Sequence, residues 1–236
     1  MNTRLTKEDQ AIIKEARGNK CSGPIYSEDG LRLLKVLGNP EFLEVEDGVK
    51  AICDEAFQGL DNLHEVVLPA SVTDLGTRAF ASCIKLFKIT MPGVDFIGIE
   101  SFAHCENLKE IALPETLGKI WKAAFAGCKA LEEINIPSHL KIIDKSAFRN
   151  SGLKSLNIEI SDGGKCLVYD KAFASCKHLE SVYLNKNVKI VERMAFAGCT
   201  SLMAIGFENP LLTGPIGEFN ALTKDEKELI AAELQA

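Results

Sequence analysis

The chain has 236 residues and a mass of 25.7 kDa, with 46% hydrophobic and 25% charged residues, a mixture that excludes wholesale disorder. Its 33 acidic against 27 basic residues give a formal charge of −6, which argues against a phosphate-neutralising, nucleic-acid-binding surface. No apolar run approaches the roughly 20 residues of a membrane-spanning helix, and the opening MNTRLTKEDQAIIKEARGNK is too polar for a secretory signal. The sequence as given therefore predicts a cytoplasmic protein, with a cell-surface or secreted location as the alternative if it is a piece of a longer chain.

In chain order, residues 1–24 read as a helical segment in which Thr6 caps a helix over 6–17 and Gly18 stops it. Residues 25–48 read as a cap: a hairpin turning at Asp29-Gly30, then a half repeat beginning FLEVEDGV (42–49). Together they would cover the first strand edge of the remaining chain, since an open edge is an aggregation hazard.

Beyond the cap the sequence repeats. Phe57, Phe80, Phe102, Phe125, Phe148, Phe173 and Phe196 are separated by 23, 22, 23, 23, 25 and 23 residues. Five of them are followed three residues later by a cysteine: Cys83, Cys105, Cys128, Cys176 and Cys199. A leucine stands six residues after most of the phenylalanines (Leu63, Leu86, Leu108, Leu131, Leu179, Leu202), then an aliphatic three further on, such as Val66 or Ile111. The two-residue alternation that ends this pattern, often at a proline, predicts a short strand with one face buried. Five residues before each phenylalanine lies another aliphatic, from Ile52 to Val191, which predicts a second extended segment on the opposite wall. The Ala-Phe-x-x-Cys stretch between them is expected to be a helical turn. A period near 23 residues marks a solenoid, and residues 49–207 hold seven such repeats.

One repeat is irregular. After Phe148 the cysteine is replaced by Ser151, the leucine comes a residue early at Leu153, and SDGGK (161–165) carries the extra length, as expected of a surface loop. Residues 208–236 read as a Pro- and Gly-containing loop and a helix opened by a capping box from Thr223 to Glu226.

With the motifs in place, ALPETLGKIWKAAFAGCKALEEINIP (112–137) resembles the BspA-like, or Treponema pallidum type, leucine-rich repeat, over about Val49 to Phe207. The resemblance implies an α/β leucine-rich-repeat solenoid, right-handed and curved, of short parallel strands and helical turns. It also implies a protein-binding surface, often an adhesin, and brings no catalytic activity.

The residues agree that chemistry has no obvious seat. No CxxC pair occurs among the eight cysteines, so neither a metal nor another cofactor is expected. The five laddered thiols are expected to pack as small apolar groups, and Cys21, Cys53 and Cys166, off the ladder, are the ones expected to react. His64, His104, His139 and His178 fall at different phases of the repeat and cannot share a ligand. Binding has candidates instead. Alternation along the strands turns Glu44, Glu46, Glu65, Lys88, Glu110, Glu133, Asn135, Asn157 and Tyr183 outwards on the concave sheet, acidic in the first half and neutral in the second. Trp121, at a position otherwise small or polar, is expected to form an exposed aromatic ridge with Tyr169 and Phe87. The function expected is a monomeric, non-enzymatic scaffold that binds a basic protein segment; the alternatives are an adhesin for a host or matrix protein, and an enzyme or metal protein built on an unrecognised cysteine site.

Overall fold

The computed structural model describes residues 2–192 and 194–207; the expected carboxy-terminal loop and helix lie outside them. One helix, α1 (Lys7–Gly18), opens the chain. Thr6 caps it reciprocally with Asp9, each side chain accepting from the other residue's main-chain N–H. β1 (Gly23–Tyr26) and β2 (Arg32–Leu37) form the expected antiparallel hairpin.

From there the chain winds between two walls. β2 continues into β4 (Ala51–Ile52), β6 (Asp74–Leu75), β8 (Phe96–Ile97), β10 (Lys119–Ile120), β11 (Ile142–Ile143), β13 (Cys166–Val168) and β15 (Val188–Val191), all parallel. With β1 these make a nine-stranded sheet that contains every aliphatic expected five residues before a phenylalanine. The facing wall is built from β3 (Phe42–Glu44), β5 (Glu65–Val67), β7 (Lys88–Thr90) and β9 (Glu110–Ile111), and, separately, from β12 (Ser155–Ile158), β14 (Ser181–Leu184) and β16 (Ala204–Phe207).

The core lies between the walls. Phe57 through Phe173 are completely buried, and from Phe80 onwards successive rings stack 5.2–5.3 Å apart. No coil can bury its phenylalanine alone, so each ring's burial depends on the coils above and below.

The Ala-Phe-x-x-Cys stretch is not helical, and the reason lies in the main chain. Ala79, Ala81 and Cys83 donate their N–H groups three residues back, whereas Arg78, Phe80 and Ser82 donate theirs to the next coil, at Ile99, Ser101 and Ala103. Half the amides are thus spent between coils, where an α-helix would keep all of them internal. The alternation requires left-handed backbone at two places per turn, as at Arg78 (φ 56°) and Ser82 (φ 60°). Among the described residues the fold is a strand-and-turn solenoid with one helix.

The second wall is interrupted at residues 131–137, which carry no strand. There the Asn135 side chain takes over the ladder's role, donating to the Leu113 carbonyl at 2.8 Å and accepting from its N–H at 2.9 Å. The break lies in the coil just before the irregular repeat that follows Phe148. The coil of Phe148 approaches so closely that a Cβ on Gly152 would lie 2.0 Å from the Lys129 carbonyl oxygen. The loop at 161–165 is tied down by Asn187, which donates to the carbonyls of Ile160 and Ser161.

Candidate protein-binding face

The wall of β3, β5, β7 and β9 presents two parallel rows of outward side chains. Its register sets Phe42, Glu65, Lys88 and Glu110 side by side in one row, and Glu44, Val67 and Thr90 in the other. The inward partners, such as Val66 and Ile89, are buried. Lys88 Nζ lies 3.4 Å from Glu65 and 3.8 Å from Glu110, so the row's acidity is tempered at its centre. Glu133 continues the acidic side beyond β9, exposed.

Two shallow grooves cross this wall. One, of about 460 Å³, is floored by Ile89, Met91, Ile111 and Leu113 between Lys88 and Glu110. The next, of about 450 Å³, is lined by Glu110, Glu133, Asn135, Ser155 and Asn157, where the sheet is interrupted. Further along, Asn157 donates to Glu159, and Tyr183 lies half exposed beside Gly206.

The half repeat sits two residues away from the expected register. Glu44 pairs with Val67, which puts Phe42 in the row of Glu65; Glu46 falls past the end of β3, with its N–H 3.5 Å from the Tyr26 hydroxyl. Phe42, 52% exposed, was therefore missed. Without a phenylalanine anchor the half repeat has no phase marker; only the match of Leu43 to Val66 reveals it.

The sequence matches the model of the BspA type leucine-rich repeat region in six copies, over residues 38–154 and 166–220. The chain belongs to the BspA-type leucine-rich repeat family. Among solved structures, the T. pallidum leucine-rich repeat protein is 23% identical and aligns over 90% of this chain and 93% of its own, with a TM-score of 0.49. The pneumococcal vaccine antigen PcpA is 18% identical over 90% of this chain and 80% of its own, at a TM-score of 0.39. A leucine-rich cell surface protein from Faecalibacterium prausnitzii is 15% identical over 85% and 96%, at 0.34. A search of curated proteins returned no match. No helix among the described residues is long and apolar enough to cross a membrane.

Within this BspA-type solenoid the expected aromatic ridge does not form. Trp121 and Tyr169 both follow strands of the nine-stranded sheet, but the coil between them places Asp144 at the equivalent position. Trp121 is only partly exposed: its ring packs 5.3 Å from that of Phe96, and Lys119 Nζ sits 3.6 Å above it while pairing with Asp144. Phe87, 41% exposed, immediately precedes β7 on the other wall. Three aromatics on two walls cannot make one contact.

The thiols also depart from expectation. The repeat's cysteines do more than fill space: Cys83, Cys105, Cys128, Cys176 and Cys199 each donate to the carbonyl of a phenylalanine in the preceding coil, at 3.0–3.2 Å. Those carbonyls already accept one main-chain N–H, so the thiols occupy the second lone pair. Of the three cysteines off the ladder, Cys53 and Cys166 are fully buried, and burial pushes both thiols up to about 12. Only Cys21 among them is exposed. We therefore expect Ellman's reagent to find one fast thiol in the native protein, Cys21, with the others reacting slowly or only on unfolding. Rapid reaction of Cys53 or Cys166 would contradict this. All four histidines are exposed, and no group of three or more His, Cys, Asp or Glu residues among the described ones could hold a metal.

Proposed function

We propose that the chain is a non-enzymatic protein-interaction scaffold that binds a basic, extended segment of another protein along the wall of β3, β5, β7 and β9. The observation that carries this reading is the outward-facing row of half-buried Glu65 and Lys88 and exposed Glu110, continued by Glu133, over half-apolar grooves. The grooves offer an apolar floor for the stems of lysine or arginine, and the carboxylates meet their charged ends. Because the side chains stand on a stacked, hydrogen-bonded sheet, little ordering opposes association. The carboxylates contribute mostly to steering and selectivity.

The test is calorimetric titration of the full chain with a lysine-rich peptide, compared with the triple variant Glu65→Lys, Glu110→Lys, Glu133→Lys. These side chains are solvent-facing, so the variant is expected to keep its fold, checked by circular dichroism. Affinity should fall at least tenfold, and its salt dependence should flatten as the opposed charges vanish. Unchanged affinity would overturn the assignment of the face.

A further inference from the structure

The amino-terminal cap covers the two walls unequally. On the nine-stranded wall, β2 is covered by β1, and α1 packs against this hairpin. On the other wall β3 is the terminal strand, with none beyond it among the described residues. The hydrogen-bonding parity shows which main-chain groups this leaves unused. The Glu41 carbonyl accepts from His64 and Glu65, and the Val45 N–H donates to Val67. Successive residues of a strand point their N–H and C=O groups to alternate sides. The groups of Leu43 therefore also face β5, and those of Phe42 and Glu44 face away from it. No main-chain hydrogen bond to a neighbouring strand reaches them among the described residues.

The side chains at this edge have a definite character. Phe42 is 52% exposed, a large apolar surface beside two main-chain donors and two acceptors that no strand among the described residues uses. Glu41, Glu44, Glu46 and Asp47 lie within five residues of it along the chain, all exposed and all acidic. A second copy of the chain pairing here edge to edge would set these carboxylates against one another, which disfavours a self-paired dimer.

We propose that the free edge of β3 is a strand-addition site for an extended segment of a partner protein in which basic and apolar residues alternate. Such a segment extends the sheet through the N–H and C=O groups of Phe42 and Glu44. Its lysines or arginines turn to the outward face, their stems along Phe42 and their charges at Glu44 and Glu46, and its apolar residues turn to the inward face beside Leu43. This inference is independent of the face proposed above, since it uses the main chain of β3 and not the side chains of Glu65, Glu110 or Glu133.

The test uses the full-length chain and an end-blocked peptide, Lys-Val-Lys-Val-Lys-Val, read by amide chemical shifts of residues 41–47. Saturable binding centred on Phe42 and Glu44 is expected. Substituting Glu44→Pro removes an outward N–H while leaving those of Leu43 and Val45 in the ladder, and should weaken binding at least tenfold. If that variant does not fold, the same peptide with N-methylated valines serves, and should bind wild type at least tenfold more weakly. Retained binding by the Glu65, Glu110, Glu133 lysine variant would separate this edge from the face. The proposal is overturned if the N-methylated peptide binds as well as its parent, if no saturable shift occurs at residues 41–47, or if those amides are found protected in a dimer of the chain.

Discussion

Replacing Phe125 with alanine is expected to destabilise the protein by about 3–5 kcal/mol, the range for deleting a fully buried aromatic. Phe125 is completely buried, and its ring lies 5.2 Å from those of both Phe102 and Phe148, nearly parallel to each. The deletion therefore opens a cavity that two neighbouring rings border, in the middle of the stack. In a solenoid each coil contacts only the coils beside it, so damage to both interfaces of one coil splits the molecule into shorter stacks that hold themselves less well. Urea unfolding should show a lower midpoint, and a broadened transition as the two halves uncouple. Phe87→Ala is the control: with its ring 41% exposed and outside the stack, it should cost far less. A loss below about 1 kcal/mol at Phe125 would mean that the stack is not the core of the fold.

The amino-terminal cap should fail when Arg32 is replaced by alanine. The Arg32 guanidinium donates to both Asp9 oxygens at 2.9 Å, joining α1 to β2, and Asp9 is only 2% exposed. Removing the cation strands a buried carboxylate, which costs about 3–5 kcal/mol when a buried pair is broken from one side. Burial alone would raise the Asp9 carboxyl, but the Thr6 main-chain amide and the Arg32 guanidinium outweigh it and hold it below the ordinary aspartate range. A carboxyl depressed in the folded state stabilises fully above its unfolded value, about pH 4. That contribution is lost as pH falls through the lower folded value. Beneath α1, Cys53 packs with Ile13 and Leu34. Arg32→Ala should therefore make Cys53 reactive to Ellman's reagent at neutral pH, with the solenoid's own unfolding little changed. An unreactive Cys53 in that variant would show that the ion pair does not hold the helix down.

Much of the fold was legible in the sequence because stacking imposes one-dimensional bookkeeping. A side chain that must rest on its equivalent in the next coil recurs at the coil's period, which is why the phenylalanines, Leu63 and its successors, and the aliphatics from Ile52 to Val191 stood out. Thr6 and Asp29-Gly30 were readable for a different reason: caps and tight turns are local chemistry. The turns between the walls were misjudged as helical because their amides are divided between one coil and the next, a property that side-chain periodicity does not carry. A hint was present in Gly59, Gly127 and Gly198, two residues after their phenylalanines, all with left-handed backbone. Trp121 was expected outside because its neighbours in the repeat are small or polar. Which side chain folds over it, Lys119 in this case, depends on a contact between coils. Likewise Cys53 and Cys166 lie off the ladder in sequence but inside the protein in space, Cys53 because α1 covers it.

The footprint of a bound lysine-rich peptide, read by amide hydrogen exchange, tests the acidic wall as a binding face most directly. Added protection is expected in 42–44, 65–67, 88–90 and 110–111, with exchange in 74–75, 96–97 and 119–120 unchanged. Protection confined to the nine-stranded wall, or to the turns around the phenylalanines, would contradict the assignment of the acidic wall as the binding face.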